Sequence, residues 1–172
     1  ANRKKLAPAE VAQALALRGT ALLTDDKKTE AIAAFEEALK IDATNPIVQS
    51  RLGKAYLDMH EPEKALPFLK GAAEARTDSL ADTQRYLDAL LQLSKLDEAT
   101  KVMGAASARF PGNADIAFLS AQVSDALDKT NDAIEGYRKA IAAAPENGDA
   151  YLRLARLFIR MRRYNDARPE IE

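Results

Sequence analysis

Cysteine is absent from this chain of 172 residues, and histidine occurs once, at His60. Without cysteine the chain has no disulfide, no thiolate nucleophile and no cysteine-based zinc site. A Ser-His-Asp arrangement or a histidine-rich metal site would have to use His60, which lies in the polar turn DMHEPEK and is more simply a solvated turn residue. We therefore expect no enzyme activity, no cofactor and no metal.

Long apolar runs and an excess of one charge are also missing. No apolar run approaches the roughly 20 residues that a helix needs to span a bilayer. The 25 basic and 26 acidic residues give a formal net charge of -1, which argues against nucleic acid or an anionic membrane surface as the partner. Gly53 and Lys54 resemble the end of a phosphate-binding loop, but Val48 and Ala55 stand where that loop needs glycine and Ser or Thr.

The first residues, ANRKK, include neither an initiator methionine nor the apolar segment of a signal peptide. We expect either a start that has been removed or a fragment of a longer protein. The lack of cysteine suits the cytosol and the bacterial periplasm equally.

Alanine is abundant, whereas glycine, proline and β-branched residues are few, and this mixture favours helix. Two alanine series recur with a step of 34 residues: Ala31, Ala65, Ala99, Ala133 and Ala167, and Ala38, Ala72, Ala106 and Ala140. A bulky side chain recurs between them: Phe35, Leu69, Met103, Tyr137 and Ile171. A fixed period of this length indicates an array of repeats.

Each period contains two helix-length apolar patterns separated by polar turns. The repeats are 12–45, 46–79, 80–113, 114–147 and a partial 148–172, after a lead-in at 1–11. The predicted first helices are 9–24, 46–59, 79–93, 113–127 and 149–161, and the second helices are 28–41, 62–75, 96–109, 130–143 and 165–172. Asn45, Asn113 and Asn147 are placed to cap first helices, and Pro111 and Pro145 end second helices.

This pattern resembles the tetratricopeptide repeat family across almost the whole chain. Gly19 and Gly53 occupy the small first-helix position, and Pro111 and Pro145 match the late proline of the family, although Leu87 replaces the small residue in the third repeat. The resemblance implies an all-α fold, a right-handed α-solenoid of antiparallel helix hairpins. It would have about five 34-residue repeats, the last incomplete, in a single domain over 1–172.

In the family the first helices line a concave groove that binds a partner. Carried over by position, the resemblance implies these partner-binding residues: Arg51, Lys54, Arg85, Phe118, Leu119, Gln122, Arg153, Arg156 and Arg160. The first-repeat end of the groove is mostly apolar: Gln13, Ala16, Leu17, Thr20 and Leu23.

Three of these arginines, with Arg163 after them, recur at helical spacing and form what we call the arginine stripe: Arg153, Arg156, Arg160 and Arg163. Arginine grips carboxylates with two parallel hydrogen bonds, so the stripe suits an acidic segment of a partner, with Phe118 and Leu119 taking an apolar side chain. The alternative is a solvated cationic face that balances Asp149 and Asp166.

The carboxylate clamp with which some family members hold acidic chaperone tails is not reproduced. Its positions here are Gln13, Leu17, Arg51, Ala81 and Arg85, of which only Arg85 fits. We therefore do not expect activity as a chaperone co-factor.

The last repeat is incomplete, so Leu154, Phe158 and Ile171 are expected to lack a following repeat to cover them. A fragment of a longer array, stacking between molecules and a tolerated short end would each account for this.

The predicted function is a non-catalytic protein–protein interaction scaffold that binds a protein or peptide, not nucleic acid, and does not insert into membranes. A self-assembling homo-oligomer and a regulatory region of a larger enzyme are the alternatives. By analogy with bacterial proteins that resemble it, the scaffold would serve cell-envelope assembly, secretion or polysaccharide export. We expect it in the bacterial periplasm or cytoplasm, with a lean to the cell envelope.

Overall fold

The computed structural model describes residues 7–170 and divides into two compact units, one ending at Leu93 and the other beginning at Ser94. The first unit contains α1 (Pro8–Thr24), α2 (Lys28–Ile41), α3 (Pro46–Asp58), α4 (Pro62–Ala75) and α5 (Leu80–Gln92). The second contains α6 (Leu96–Arg109), α7 (Ala114–Ala126), α8 (Thr130–Ala143), α9 (Gly148–Arg160), α10 (Tyr164–Ala167) and a 3₁₀ turn at Arg168–Glu170. The all-α class is confirmed, whereas a single domain that spans both units stays a prediction.

The helices pack as successive hairpins within each unit. In the first unit α1 packs on α2 and α3 packs on α4, while α3 also contacts α1 and α5, so these three first helices are neighbours. In the second unit α7 packs on α8, and α9 contacts α8, α10 and the 3₁₀ turn. Over residues 7–170 no helix combines the length and the apolar character that crossing a bilayer requires.

Four first helices begin at a capping side chain that recurs every 34 residues: Asn45, Ser79, Asn113 and Asn147. Each side-chain oxygen accepts a hydrogen bond from a backbone N–H of the first turn, such as Val48 N at 3.2 Å from Asn45 Oδ1. This satisfies a donor that the helix itself leaves unpaired. The three predicted asparagine caps are confirmed, and Ser79 adds a fourth.

The turn after each first helix contains one residue in the left-handed backbone region. These residues also recur every 34 positions and have φ between 53° and 60°: Asp26, His60, Ser94, Asp128 and Arg162. The left-handed residue reverses the chain after the helix, a place that glycine usually takes. The only histidine is therefore an exposed turn residue, as its sequence context predicts.

Both alanine series are buried at the contacts between helices, with exposed fractions of 0 to 3%. Two glycines of the first helices, Gly19 and Gly53, oppose bulky residues of the second helices. A Cβ built on Gly19 would lie 2.6 Å from the ring of Phe35, and one on Gly53 would lie 2.5 Å from Leu69. The helices cross so closely because these positions carry no side chain.

The end of the chain differs from the prediction in two respects. The sequence predicts the last second helix over 165–172, but α10 covers only Tyr164–Ala167 and gives way to the 3₁₀ turn that contains Pro169. The sequence also predicts that Leu154 and Phe158 are uncovered, but both are fully buried, because this face of α9 packs against Tyr137 and Ala167. Ile171 lies outside the described residues.

Candidate functional site

An apolar pocket of about 610 Å³ opens between α1 and α3 in the first unit. Its apolar lining includes the buried Ala12, Ala16 and Val48 and the exposed Leu17, Ile41 and Ile47. Gln13, Asp42, Asn45 and Arg51 supply polar groups around it. The exposed fractions of Leu17 and Ile47 are 61% and 50%, which is unusual for large aliphatic side chains that share one pocket.

A second pocket of about 410 Å³ lies between α3 and α5, and we call it the cationic pocket. Four cationic side chains line it against a single carboxylate: Arg51, Lys54, Arg76 and Arg85, with Asp82. Lys54 is paired with Asp58, 2.5 Å away, and Arg51 Nη1 donates to Thr20 Oγ1 at 2.6 Å. The lining therefore keeps an excess of positive charge.

The carboxylate of Asp82 organises the cationic pocket although only 1% of the residue is exposed. Its Oδ1 accepts hydrogen bonds from Ser50 Oγ and, at 3.1 Å, from Arg85 Nη1, which also donates to Ser50 Oγ at 2.9 Å. Arg76 Nη1 is 3.2 Å from Oδ2, which accepts no well-aligned hydrogen bond from the described residues. One buried carboxylate thus holds two guanidinium groups in place.

The local sequence explains this arrangement. Arg76 directly follows α4, and Ser79 caps α5, accepting a hydrogen bond from Asp82 N at 3.3 Å. Asp82 lies in the first turn of α5, where the helix dipole favours a negative charge, and Arg85 follows one turn later on the same face.

Three arginines of the stripe lie on α9, but Arg163 lies past the end of that helix in the turn before α10, so the predicted helical stripe is one residue shorter. Neighbouring side chains of the second unit contact most of the four arginines. Arg160 is bound to Asp125 of α7, Arg163 Nε is 2.6 Å from Asp166, and the guanidinium of Arg153 lies 5.6 Å from the ring centre of Phe118. In the described part of the chain Arg156 has no ion-pair partner. Most of the stripe is therefore already balanced by charge or by an aromatic ring.

Tyr137 is buried beside this stripe, with none of its surface exposed. Its hydroxyl has no partner at hydrogen-bonding geometry among the described residues, although the Arg153 guanidinium is near enough to favour the ionised form. Burial and the carboxylate of Asp125 nevertheless raise the pKa of Tyr137 to about 12.

The predicted groove residues fall into two sets, one in each unit. Arg51, Lys54 and Arg85 meet in the cationic pocket. Phe118 and Gln122 are half-buried on α7, but Leu119 lies in the core with 4% exposed and does not line the surface.

The prediction missed Arg76 and Asp82. Arg76 lies between two helices and Asp82 lies at the start of α5, and neither was among the groove positions that the repeat pattern implies. Within residues 7–170 no group of three or more His, Cys, Asp or Glu side chains is placed to hold a metal ion.

Comparison with known families gives matches along most of the chain. One tetratricopeptide repeat model matches residues 22–89 and 126–172, and a second matches residues 87–148. The chain belongs to the tetratricopeptide repeat family, as the sequence pattern predicted.

Individual relatives are more distant. The chain is 27% identical over 126 residues to a STIP1 homologue of Dictyostelium discoideum, of which it spans about a fifth. MamA of Desulfovibrio magneticus RS-1 has the same fold, with a TM-score of 0.79 at 18% identity, covering 97% of this chain and 93% of that one. YrrB, described as a repeat protein with an unusual peptide-binding site, has a TM-score of 0.74 at 26% identity over 81% of this chain and 72% of that one.

Proposed function

We propose that this chain is a non-catalytic interaction module that binds an acidic segment of a partner protein in the cationic pocket. The observation that carries the proposal is the pairing of Arg76 and Arg85 around the buried Asp82, with Arg51 and Lys54 on the same pocket. The family consists in general of interaction scaffolds. YrrB, which has a fold similar to that of this chain, is described as having a peptide-binding site.

The geometry of Arg85 suits a carboxylate ligand. Its bonds to Ser50 and Asp82 both use Nη1, so the other edge of the guanidinium bonds to no described residue and can donate to both oxygens of a carboxylate. Because Asp82 and Ser50 already fix the side chain, little rotamer freedom remains to be lost on binding. The excess of positive charge would also speed the encounter with an acidic partner.

The arginine stripe is the second candidate for the same function. Arg153, Arg156 and Arg160 have the predicted helical spacing, and Arg156 is available to a partner. The contacts with Asp125 and Phe118 weaken this candidate, since a ligand would have to compete with them. We favour the cationic pocket because four cationic side chains line it together with only one carboxylate.

For the wider role we propose assembly of a larger complex, with a lean to the cell envelope of a bacterium. The high alanine and arginine content without cysteine supports this. Self-association is the alternative, and the mass of the chain in solution separates the two. A regulatory role within a larger enzyme would require a catalytic domain on the same polypeptide.

The test is binding of a fluorescein-labelled oligoglutamate peptide, measured by anisotropy over a series of salt concentrations. We expect salt-sensitive binding that falls about tenfold or more in the Arg76→Gln/Arg85→Gln variant. Lys40→Gln/Lys101→Gln removes the same charge from exposed positions on α2 and α6 and should bind almost normally. Equal losses in both variants would show that only net charge matters and would refute the pocket.

An Arg153→Gln/Arg156→Gln/Arg160→Gln variant locates the site. If it loses binding while the cationic-pocket variant does not, the arginine stripe is the binding site and the favoured assignment is wrong.

A further inference from the structure

The apolar pocket and the cationic pocket adjoin each other on the first-helix face of the first unit. Both include Ile47 and Arg51, which lie one turn apart on α3. The apolar pocket extends from these residues towards α1, and the cationic pocket extends from them towards α5. A single extended segment lying across α3 can therefore occupy both pockets.

The apolar pocket has the size and lining of a side-chain receptor. Its volume of about 610 Å³ is within the range of small-ligand sites and accommodates a large aliphatic or aromatic side chain. Leu17, Ile41 and Ile47 are each at least 41% exposed and converge on it, so a ligand would remove considerable apolar surface from water. Arg51 lies at the boundary between the apolar pocket and the cationic pocket.

We infer that the partner segment is bipartite, with a large apolar side chain bound in the apolar pocket next to one or more carboxylates bound in the cationic pocket. The inference rests on the proposed function and adds to it a specificity determinant on α1 and α3. Charge complementarity accounts for the acidic half, and the three exposed aliphatic walls account for the apolar half. The acidic half sets the salt dependence and the rate of encounter, and the apolar half sets the rate of dissociation.

A random peptide library displayed on phage tests the pattern, because it samples apolar and acidic residues in every order. The whole chain is the bait, and enriched peptides are synthesised and measured by anisotropy. We expect sequences in which a large apolar residue lies beside acidic residues. Their affinity should fall about tenfold in Leu17→Ser/Ile47→Ser and also in Arg76→Gln/Arg85→Gln.

The matched control is Leu152→Ser/Ile159→Ser, which changes two aliphatic residues of similar exposure on α9 in the other unit. It should leave the affinity unchanged. Circular dichroism of both aliphatic variants should match the parent, since all four aliphatic side chains are at least 42% exposed. Circular dichroism of Arg76→Gln/Arg85→Gln is recorded at the assay temperature, so that a loss of affinity is read only from the folded chain.

The failures are distinguishable. Enriched acidic peptides that lack an apolar residue and are insensitive to Leu17→Ser/Ile47→Ser would overturn the bipartite ligand and leave the proposed function intact. If the parent chain enriches no peptide more strongly than the Arg76→Gln/Arg85→Gln variant does, both the bipartite ligand and the proposed function are wrong. Concentration-dependent self-association that is lost in Leu17→Ser/Ile47→Ser would identify a second copy of the chain as the occupant and would also overturn the inference.

Discussion

Asp82 and Arg85 lie one turn apart on α5, with the carboxylate buried and the guanidinium partly exposed at 3.1 Å from it. Ser50 of α3 shares this contact, so the same groups join two first helices and shape the cationic pocket. The contact between α3 and α5 and the shape of the cationic pocket therefore depend on one buried charge.

The first prediction concerns this pair. Arg85→Ala should lower the free energy of unfolding by ~1–3 kcal/mol, because it leaves the buried carboxylate without its main charged hydrogen-bond donor. In an Asp82→Asn background the same change should cost little, since no buried charge remains to be compensated. Urea unfolding of the two single variants and the double variant measures the coupling. Equal costs of Arg85→Ala in both backgrounds would contradict the network.

The second prediction concerns the crossing of α3 and α4. Gly53→Ala should destabilise the chain by ~1–3 kcal/mol, since the new Cβ would lie 2.5 Å from the fully buried Leu69. Gly104→Ala on α6 is the control, because a Cβ there meets no atom within 4 Å apart from the adjoining backbone of its own helix. Because alanine has a higher helix propensity than glycine, Gly104→Ala should stabilise the chain by ~0.5–1 kcal/mol. Opposite shifts in urea midpoint confirm the prediction, and a stabilising Gly53→Ala would disprove it.

The third prediction concerns pH. The pKa of Tyr137 is raised to about 12 in the folded chain from an ordinary value of 10.0, so this group supports the fold below pH 10. As the pH rises towards 12, the unfolded chain ionises first and the free energy of unfolding falls. Tyr137→Phe should make that fall shallower. Near pH 7 the substitution should change stability by less than ~1 kcal/mol, because the hydroxyl has no well-aligned partner among the described residues.

The measurement for Tyr137→Phe is urea unfolding at several pH values from 7 to 12. Tyr164→Phe serves as the control, since that ring is 63% exposed. The parent contains a second such group, because burial and Glu36 raise the pKa of Tyr56 to about 12, so some alkaline dependence should persist. If the free energy of unfolding falls equally steeply with pH in the parent and in Tyr137→Phe, the raised pKa of Tyr137 is contradicted.

The fourth prediction concerns the left-handed turn residues. Arg162 has φ of 60°, a conformation that costs most side chains ~1–2 kcal/mol, so Arg162→Gly should raise the melting temperature. Part of the gain is offset because glycine gives the unfolded chain more freedom. Arg156→Gly, within α9, should lower the melting temperature, since glycine costs ~1 kcal/mol inside a helix. If both variants shift in the same direction, the turn assignment is wrong.

Much of the local structure could be predicted from particular residues. The alanine series located the buried contacts, and Asn45, Asn113 and Asn147 located three helix starts. The caps depend on interactions within a few residues, and the alanines mark contacts between neighbouring helices that the 34-residue period repeats along the chain. The left-handed turns recur with the same period, but they carry Asp, His, Ser, Asp and Arg. Because none of them is glycine, the sequence gives no signal for a left-handed residue at these positions.

The candidate site was predictable only in part. Arg51, Lys54 and Arg85 followed from their positions on first helices, whereas Arg76 comes from a turn and Asp82 from a helix start. The repeat pattern predicts Leu119 on the surface, but it lies in the core, because the position within a repeat does not by itself decide how far neighbouring helices cover an apolar side chain.

The amino-acid sequence alone specified helices α1 to α9, the asparagine caps and the period that makes this chain a tetratricopeptide repeat protein. These follow from local propensity and spacing. Packing of the helices buried Asp82 beside Ser50, Arg76 and Arg85, and it covered Leu154 and Phe158. Both outcomes require contacts between helices, such as that of Ser50 with Asp82, which form only when the helices pack.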